Sequence, residues 1–207
     1  MDVGQHLVWL QAGRQFISED EMTYRGCRPG ILQLIKIMLV RGIGIRDINT
    51  VLKVSIIKVL KVLKSDEYAI KPKRSHYDCL ETDELWTYVG KKKNKVWLSY
   101  AYHRERGEIV AYNRDIKTAE KLKERIHERG ISYELIATDN GDNFLGVFGE
   151  GGHLVGKEHT VGIEGNKCRL RHRIRRVFRR TCCFSERVYN HLKAFDMVFF
   201  YINYGFV

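Results

Sequence analysis

The chain has 207 residues and 44% hydrophobic content, enough to bury one large core or a medium and a small one. Its formal net charge of +11 points to a polyanionic partner (DNA, RNA or an acidic membrane), because the cations cluster at 91–95 and 167–180. Five cysteines without a CxxC exclude a zinc ribbon built from cysteines and suit a reducing compartment. No basic start followed by an apolar run opens the sequence, so no signal peptide is expected and a cytoplasmic location is. The apolar tail AFDMVFFYINYGFV is too short for a span and carries Asp196, so it reads as a buried C-terminal element with no membrane role.

Residues 1–23 have weak periodicity and no assigned element. A helix is expected after Pro29, over ILQLIKIMLV (31–40), apolar on most faces and broken by Gly42 and Gly44. IRDINTVL reads as a short helix with Ile45, Ile48 and Leu52 at helical spacing. Ser55 is placed to cap the next helix, IIKVLKVLKS, whose apolar face is Ile56, Val59, Leu60 and Leu63 and whose other face carries Lys58, Lys61 and Lys64. Two short helices on a tight turn, the second lined with lysines, make a helix-turn-helix candidate for DNA; a plain amphipathic hairpin is the alternative.

Residues 65–76 are polar, carry Pro72 and read as a linker. Three strand-like runs follow, CLETDELWTYVG, VWLSYAYH and EIVAYNRD, separated by KKKNK and RERG, which predicts an antiparallel meander. KTAEKLKERIHERG is an amphipathic helix with Ala119, Leu122 and Ile126 toward the sheet, ended by Gly130. YELIATDNG is a short buried strand, 141–157 a glycine-rich loop, and a long basic helix is expected to run to about Arg180.

Three strands, helix, strand, helix is the order of the ribonuclease H-like fold, a mixed α+β (α/β) architecture of the retroviral integrase type. Such a fold takes acids from its first strand, from the end of its fourth and from a later helix. Asp83, Asp139 and Glu164 stand in those places. Carboxylates at these positions can hold two Mg²⁺ ions on a phosphodiester. Glu81, Glu84, Asp142 and Glu150 are competing acids, although Glu84 points to the strand face opposite Asp83. Eight cations follow Glu164 with no acid among them: Lys167, Arg169, Arg171, Arg173, Arg175, Arg176, Arg179 and Arg180. Their place beside an acidic site suits the phosphate backbone of DNA, whereas a solvated helix face would carry interleaved acids.

The stretches TDELWTYVGKKKNKVWLSYAYHRERGEIVAY, ATDNG, HTVGIEGN, RRTCCFS and HLKAFDMVFFYINYG, in that order, resemble the IS1-family insertion-sequence transposases of bacteria and archaea. MTYRGCRPG followed by GIRDINTVLKVSIIKVLKVLK resembles the family's helix-turn-helix, so the likeness runs from about Thr23 to the C-terminus. It implies a degenerate segment at 1–23, a DNA-binding helix-turn-helix at 24–66, a linker at 67–76 and a catalytic domain at 77–207. Asp83, Asp139 and Glu164 become the catalytic, metal-holding acids, with 24 residues between the last two as in the family's DDE triad. They would cut the element's terminal inverted repeats at their 3′ ends and join those ends to target DNA by transesterification. Mg²⁺ is the expected cofactor, with Mn²⁺ substituting and no zinc. DNA is the expected partner, with a homo-oligomer on two ends and a nucleoid-associated location in a prokaryote. His159, Arg171 and Arg175 sit in matched segments and are expected near end DNA.

Three departures from the family stand out. WLQAGRQF has Trp9 and Ala12 where a zinc-ribbon CxxC would fall, VAYNRDIKTA is short, and Lys167 replaces an expected Asn. They motivate one alternative, a catalytically decayed copy acting only as a DNA-binding repressor of transposition. A separate alternative is a general ribonuclease H or structure-specific nuclease, which shares the metal chemistry and needs neither the helix-turn-helix nor terminal-repeat specificity.

Overall fold

A computed structural model describes residues 8–9, 16–17, 25–114, 119–139, 144, 146–148, 152–174 and 185–207. Strands β1 (Val8–Trp9) and β2 (Phe16–Ile17) pair antiparallel in a two-residue ladder. Helices α1 (Ile31–Val40), α2 (Ile45–Leu52) and α3 (Ile56–Ser65) follow. Then come β3 (His76–Tyr88), β4 (Lys95–His103), β5 (Glu108–Asn113), α4 (Ala119–Glu128) and β6 (Ser132–Thr138). The chain closes with β7 (His153–Val155), α5 (Val161–Arg173) and α6 (Val188–Tyr204).

The main sheet has the order β5-β4-β3-β6-β7. β3, β4 and β5 form the expected antiparallel meander, and β6 and β7 add in parallel on the other edge of β3. This mixed five-stranded sheet with helices on both faces fits the α+β ribonuclease H-like fold. β3 is the long central strand, and its pleat sorts the core. Leu85, with Leu98, Tyr100 and Tyr102 of β4, belongs to a cluster shared with α1–α3, α5 and α6. Leu80, with Ala101, Ala111 and Ile136, packs under Ala119, Leu122 and Ile126 of α4, the three residues expected to face the sheet.

Local chemistry accounts for the helical region. Ser55 caps α3 by accepting from the Lys58 N–H at 3.2 Å, as the sequence predicts. Lys53 takes a left-handed φ of 51° in the turn, and Asn49 Nδ2 donates to the Val54 carbonyl at 2.5 Å. Gly42, with φ +79°, lets the loop after α1 approach α5: an added Cβ would stand 2.6 Å from the His172 carbonyl oxygen. Residues 67–75 run over the same core, burying Tyr68 and Ile70, with the Lys71 N–H donating to Tyr204 Oη at 2.9 Å.

Four sequence expectations change. α1 buries one face only, Ile31, Ile35, Leu39 and Val40, while Leu32, Leu34 and Ile37 are exposed, because neighbours cover a single side. The buried set of α3 is Val59, Val62 and Leu63, with Ile56 exposed. The glycine-rich loop contains β7, whose backbone pairs with Ile136–Thr138. The basic helix α5 ends at Arg173 rather than near Arg180, where Ile174 turns out of helical geometry and buries its side chain. Like charges four apart, such as Arg169 and Arg173, oppose extension.

No helix among the described residues is long and apolar enough to cross a membrane. The C-terminal element is α6, which buries Ala194, Phe195, Met197, Val198 and Phe199 against the sheet. Its Asn203 closes an edge. Asn203 Oδ1 accepts from the Ile109 N–H and its Nδ2 donates to the Ile109 carbonyl, both at 2.8 Å, so a side-chain amide satisfies β5 as a strand would. Asn203→Ala should therefore destabilise the fold by about 1–3 kcal/mol through two orphaned backbone groups. Urea unfolding followed by circular dichroism checks this.

Candidate active site

The parallel pairing of β3 with β6 brings two acids level. Thr82 pairs with Thr138, so Asp83 and Asp139 are the next residues along. Asp83 lies mid-strand at 4% exposure, and its Oδ1 accepts the Glu84 N–H at 2.5 Å. Asp139 follows the end of β6 and is half-buried. Glu164 comes from the first turn of α5, where a carboxylate suits the helix dipole, and is exposed. Burial pushes the Asp83 carboxyl up to about 6, against the pull of Lys167 and the Glu84 N–H, and the Asp139 charge adds to the rise.

Lys167 ties two of these acids together. It stands one helical turn beyond Glu164, so both side chains share a face. Its Nζ donates to Asp83 Oδ2 and, at 3.3 Å, to Glu164 Oε1. The lysine side chain is 10% exposed and that of Asp83 6%. Beside it, Asn166 is buried with neither amide atom hydrogen-bonded.

Sequence reasoning gives Glu81 only as a competing acid; its place is different. Two residues before Asp83 on the same strand face, Glu81 is 4% exposed, and its Oε2 accepts the Ile163 N–H at 2.5 Å. It thereby satisfies a donor of the first turn of α5 and fixes where that helix enters. Gly162 makes this possible, since an added Cβ would stand 2.7 Å from Glu81 Oε1. Tyr100, paired across from Asp83, buries its ring beneath α5 and donates to the Ile163 carbonyl at 3.4 Å. The period of two along β3 signals Glu81; nothing in the sequence signals its helix partner. Glu84 falls on the opposite face of the pleat, while Asp142 and Glu150 lie outside the described residues.

Cationic residues expected at DNA divide by position. Lys61 and Lys64 are exposed on α3 and Lys58 is half-buried. Arg169 and Arg171 are exposed on α5. Arg173 is engaged within the fold: it donates to the Val40 carbonyl at 3.2 Å and lies 4.8 Å over the Tyr201 ring. Arg175, Arg176, Arg179 and Arg180 lie outside the described residues. His159 is exposed and sits 3.7 Å from Glu158.

The family model described as IS1 transposase matches residues 77–204, from the second residue of β3 to the last residue of α6. The chain belongs to the IS1 transposase family. It is 35% identical over 115 residues to insertion element iso-IS1n protein InsB of Shigella dysenteriae, covering 55% of this chain and 88% of that protein. It is 32% identical over 121 residues to insertion element IS1 protein InsB of Shigella flexneri, covering 56% and 89%. Against insertion element IS1 2 protein InsB of Escherichia coli strain K12 the figures are 30% over 128 residues, covering 60% and 75%. Family membership carries DNA transposition, and DNA as substrate.

DDE transposases use divalent metals, and the donor chemistry of this transposase can be tested for one. Asp83, Asp139 and Glu164 offer the hard oxygens such ions require. The Lys167 ammonium is seated on two of them, Asp83 and Glu164. Among the described residues, the group of three ligand side chains with all ligand atoms within 4.8 Å is another one, Asp78, His103 and Glu105. The buried His103 ring meets Asp78 there at 2.7 Å, and the group lies toward the other end of β3.

Glu81→Ala should lower the unfolding free energy by about 1–3 kcal/mol, because a buried N–H loses its acceptor. Glu81→Gln keeps an acceptor and should lose less. Burial holds the Glu81 carboxyl above its ordinary value. The folded chain thus binds that proton more tightly than the unfolded chain, and stability is lost as pH rises through the raised value. The difference between the Gln variant and wild type should shift in the variant's favour as pH rises from below the ordinary carboxylate value to neutrality, as urea unfolding at both ends of that range would show.

Proposed function

We propose that this chain is an IS1 transposase of the DDE type that binds its element's terminal inverted repeats, cleaves their 3′ ends and joins them to target DNA. One observation carries the reading: three acids from three separate elements, β3, the end of β6 and the start of α5, gather where β3 pairs with β6, two of them joined through a single lysine. Asp83, Asp139 and Glu164 are the catalytic acids in this reading and would hold Mg²⁺, with Mn²⁺ substituting. The metal, when bound, would activate an attacking water or 3′-hydroxyl and stabilise the leaving oxygen.

The protein's own part is placement. Asp83 is held by its neighbour's N–H, and Glu81 sets the first turn of α5, so Glu164 faces β3 from a fixed helix. In the joining step the 3′-hydroxyl oxygen would attack a target phosphorus and give its proton to water, while the target's own P–O3′ bond breaks and the released 3′ oxygen takes a proton from water. Arg169 and Arg171, exposed on the helix that carries Glu164, are positioned to meet phosphates flanking the reacting one.

The hairpin of α2 and α3 is read as the helix-turn-helix, within a DNA-binding part spanning 24–66 and joined through 67–76 to a catalytic part at 77–207. Its support is the capped turn and the lysines Lys58, Lys61 and Lys64 along α3. Synapsis of two ends calls for a homo-oligomer. The second reading, a DNA-binding repressor without cleavage, is favoured by the ammonium seated on Asp83 and Glu164.

A strand-transfer assay with labelled terminal repeats and Mg²⁺ decides between the two. Glu164→Gln should abolish joined product while leaving end binding intact; joined product from that variant would remove Glu164 from the site. Neutralising Lys58, Lys61 and Lys64 together should reduce the slope of log Kobs against log salt by roughly 0.9 for each phosphate that is no longer neutralised. A gel-shift titration across salt concentrations measures it.

A further inference from the structure

We infer that Lys167 is a built-in competitor of the divalent cation: its ammonium bridges Asp83 and Glu164, and a metal ion binds these acids only by displacing it. The inference rests on the reading of Asp83, Asp139 and Glu164 as the acids of the site.

The geometry leaves little alternative for a cation sharing those oxygens. The ammonium donates to one oxygen of each carboxylate, from a side chain that is 10% exposed. A Mg²⁺ ion needs its ligand oxygens at about 2.0–2.1 Å, inside the space the ammonium fills. Two like charges crowding one place repel strongly where water is excluded. Without the lysine, the buried Asp83 carboxylate would face Glu164 and the Asp139 charge without the ammonium that now offsets part of their repulsion. The displaced ammonium has a way out, because Glu164 and its neighbour Gly165 are exposed and lysine's stem is long enough to carry its head to water.

Competition of this kind lowers metal affinity without removing a single ligand. It also separates Lys167 from a packing role, since an uncharged side chain of similar length would fill the same space. The full-length chain is therefore titrated with Mn²⁺, the free aqua ion being followed by electron paramagnetic resonance. Lys167→Asn and Lys167→Met should both bind Mn²⁺ roughly ten-fold or more tighter than wild type, a change of the size that outer groups impose on metal sites. Adding Asp83→Asn to either should remove the gain.

Equal affinity in wild type and both lysine variants, with Asp83→Asn weakening all three, would overturn the competitor role and leave the acids in place. Mn²⁺ binding that Asp83→Asn does not touch would overturn the reading of the acids, and the competitor role with it. A second measurement needs no variant. Labelling of the Lys167 amine by an amine-reactive ester, read by peptide mass spectrometry, should rise several-fold when wild type is saturated with Mn²⁺. Labelling that saturating Mn²⁺ leaves unchanged would count against displacement.

Discussion

The pairing of β3 with β6 is the constraint on which the rest depends. β3 is thirteen residues long and is bonded on both edges, antiparallel to β4 and parallel to β6. A parallel partner requires a crossover, which α4 supplies while covering one face of the sheet. The other face is left to a single cluster shared by α1–α3, α5 and α6. Because side chains alternate along a strand, one register sends Leu80 toward α4 and Glu81, Asp83 and Leu85 toward α5 and its neighbours. A slip of one residue would bury a different set and scatter the acids. The same register sets Asp83 beside the chain end that carries Asp139.

Charge has been brought into this core at a definite place. Glu81 and Asp83 are both nearly inaccessible, and burial raises both carboxyls. Each is held by a specific donor: the Ile163 N–H for Glu81, and the Glu84 N–H with the Lys167 ammonium for Asp83. Buried carboxylates of this sort do not serve stability best; apolar residues of similar volume would do as well or better. The division of labour follows from position. Glu81 meets backbone and sets a helix, whereas Asp83 meets the end of a long side chain, the Lys167 ammonium.

The basic residues show how one compositional signal splits in three dimensions. A run of arginines after Glu164 reads as a uniform phosphate-binding face. Within it, Arg169 and Arg171 are exposed, but Arg173 is committed to the Val40 carbonyl and the Tyr201 ring, binding α5 to α1 and α6. Gly42 takes part in the same junction. The N-terminal helices and the C-terminal helix α6 are thus joined through a guanidinium on α5 that composition assigns to DNA.

Much was legible in the sequence because it depends on local physics. Alternation in CLETDELWTY, turn residues in KKKNK and RERG, the 3.6-residue spacing of Ala119, Leu122 and Ile126, and the Ser55 cap are settled within a few residues of each other. The element order followed from these, and the family model matches residues 77–204 of the span from Thr23 over which the resemblance runs. What the tertiary structure alone decided are contacts between residues far apart in the chain. β7 is three residues long and exists only because β6 offers it an edge. α5 stops where Ile174 finds the core. Asn203 completes β5 from 94 positions away. Lys167 was marked in the sequence as a residue out of place, but its partner Asp83 lies 84 positions earlier, and no periodicity encodes such a pair. Hydrogen bonds and ion pairs of that range are fixed by packing, so the sequence determined which acids the fold would gather, and the fold decided what cation sits among them.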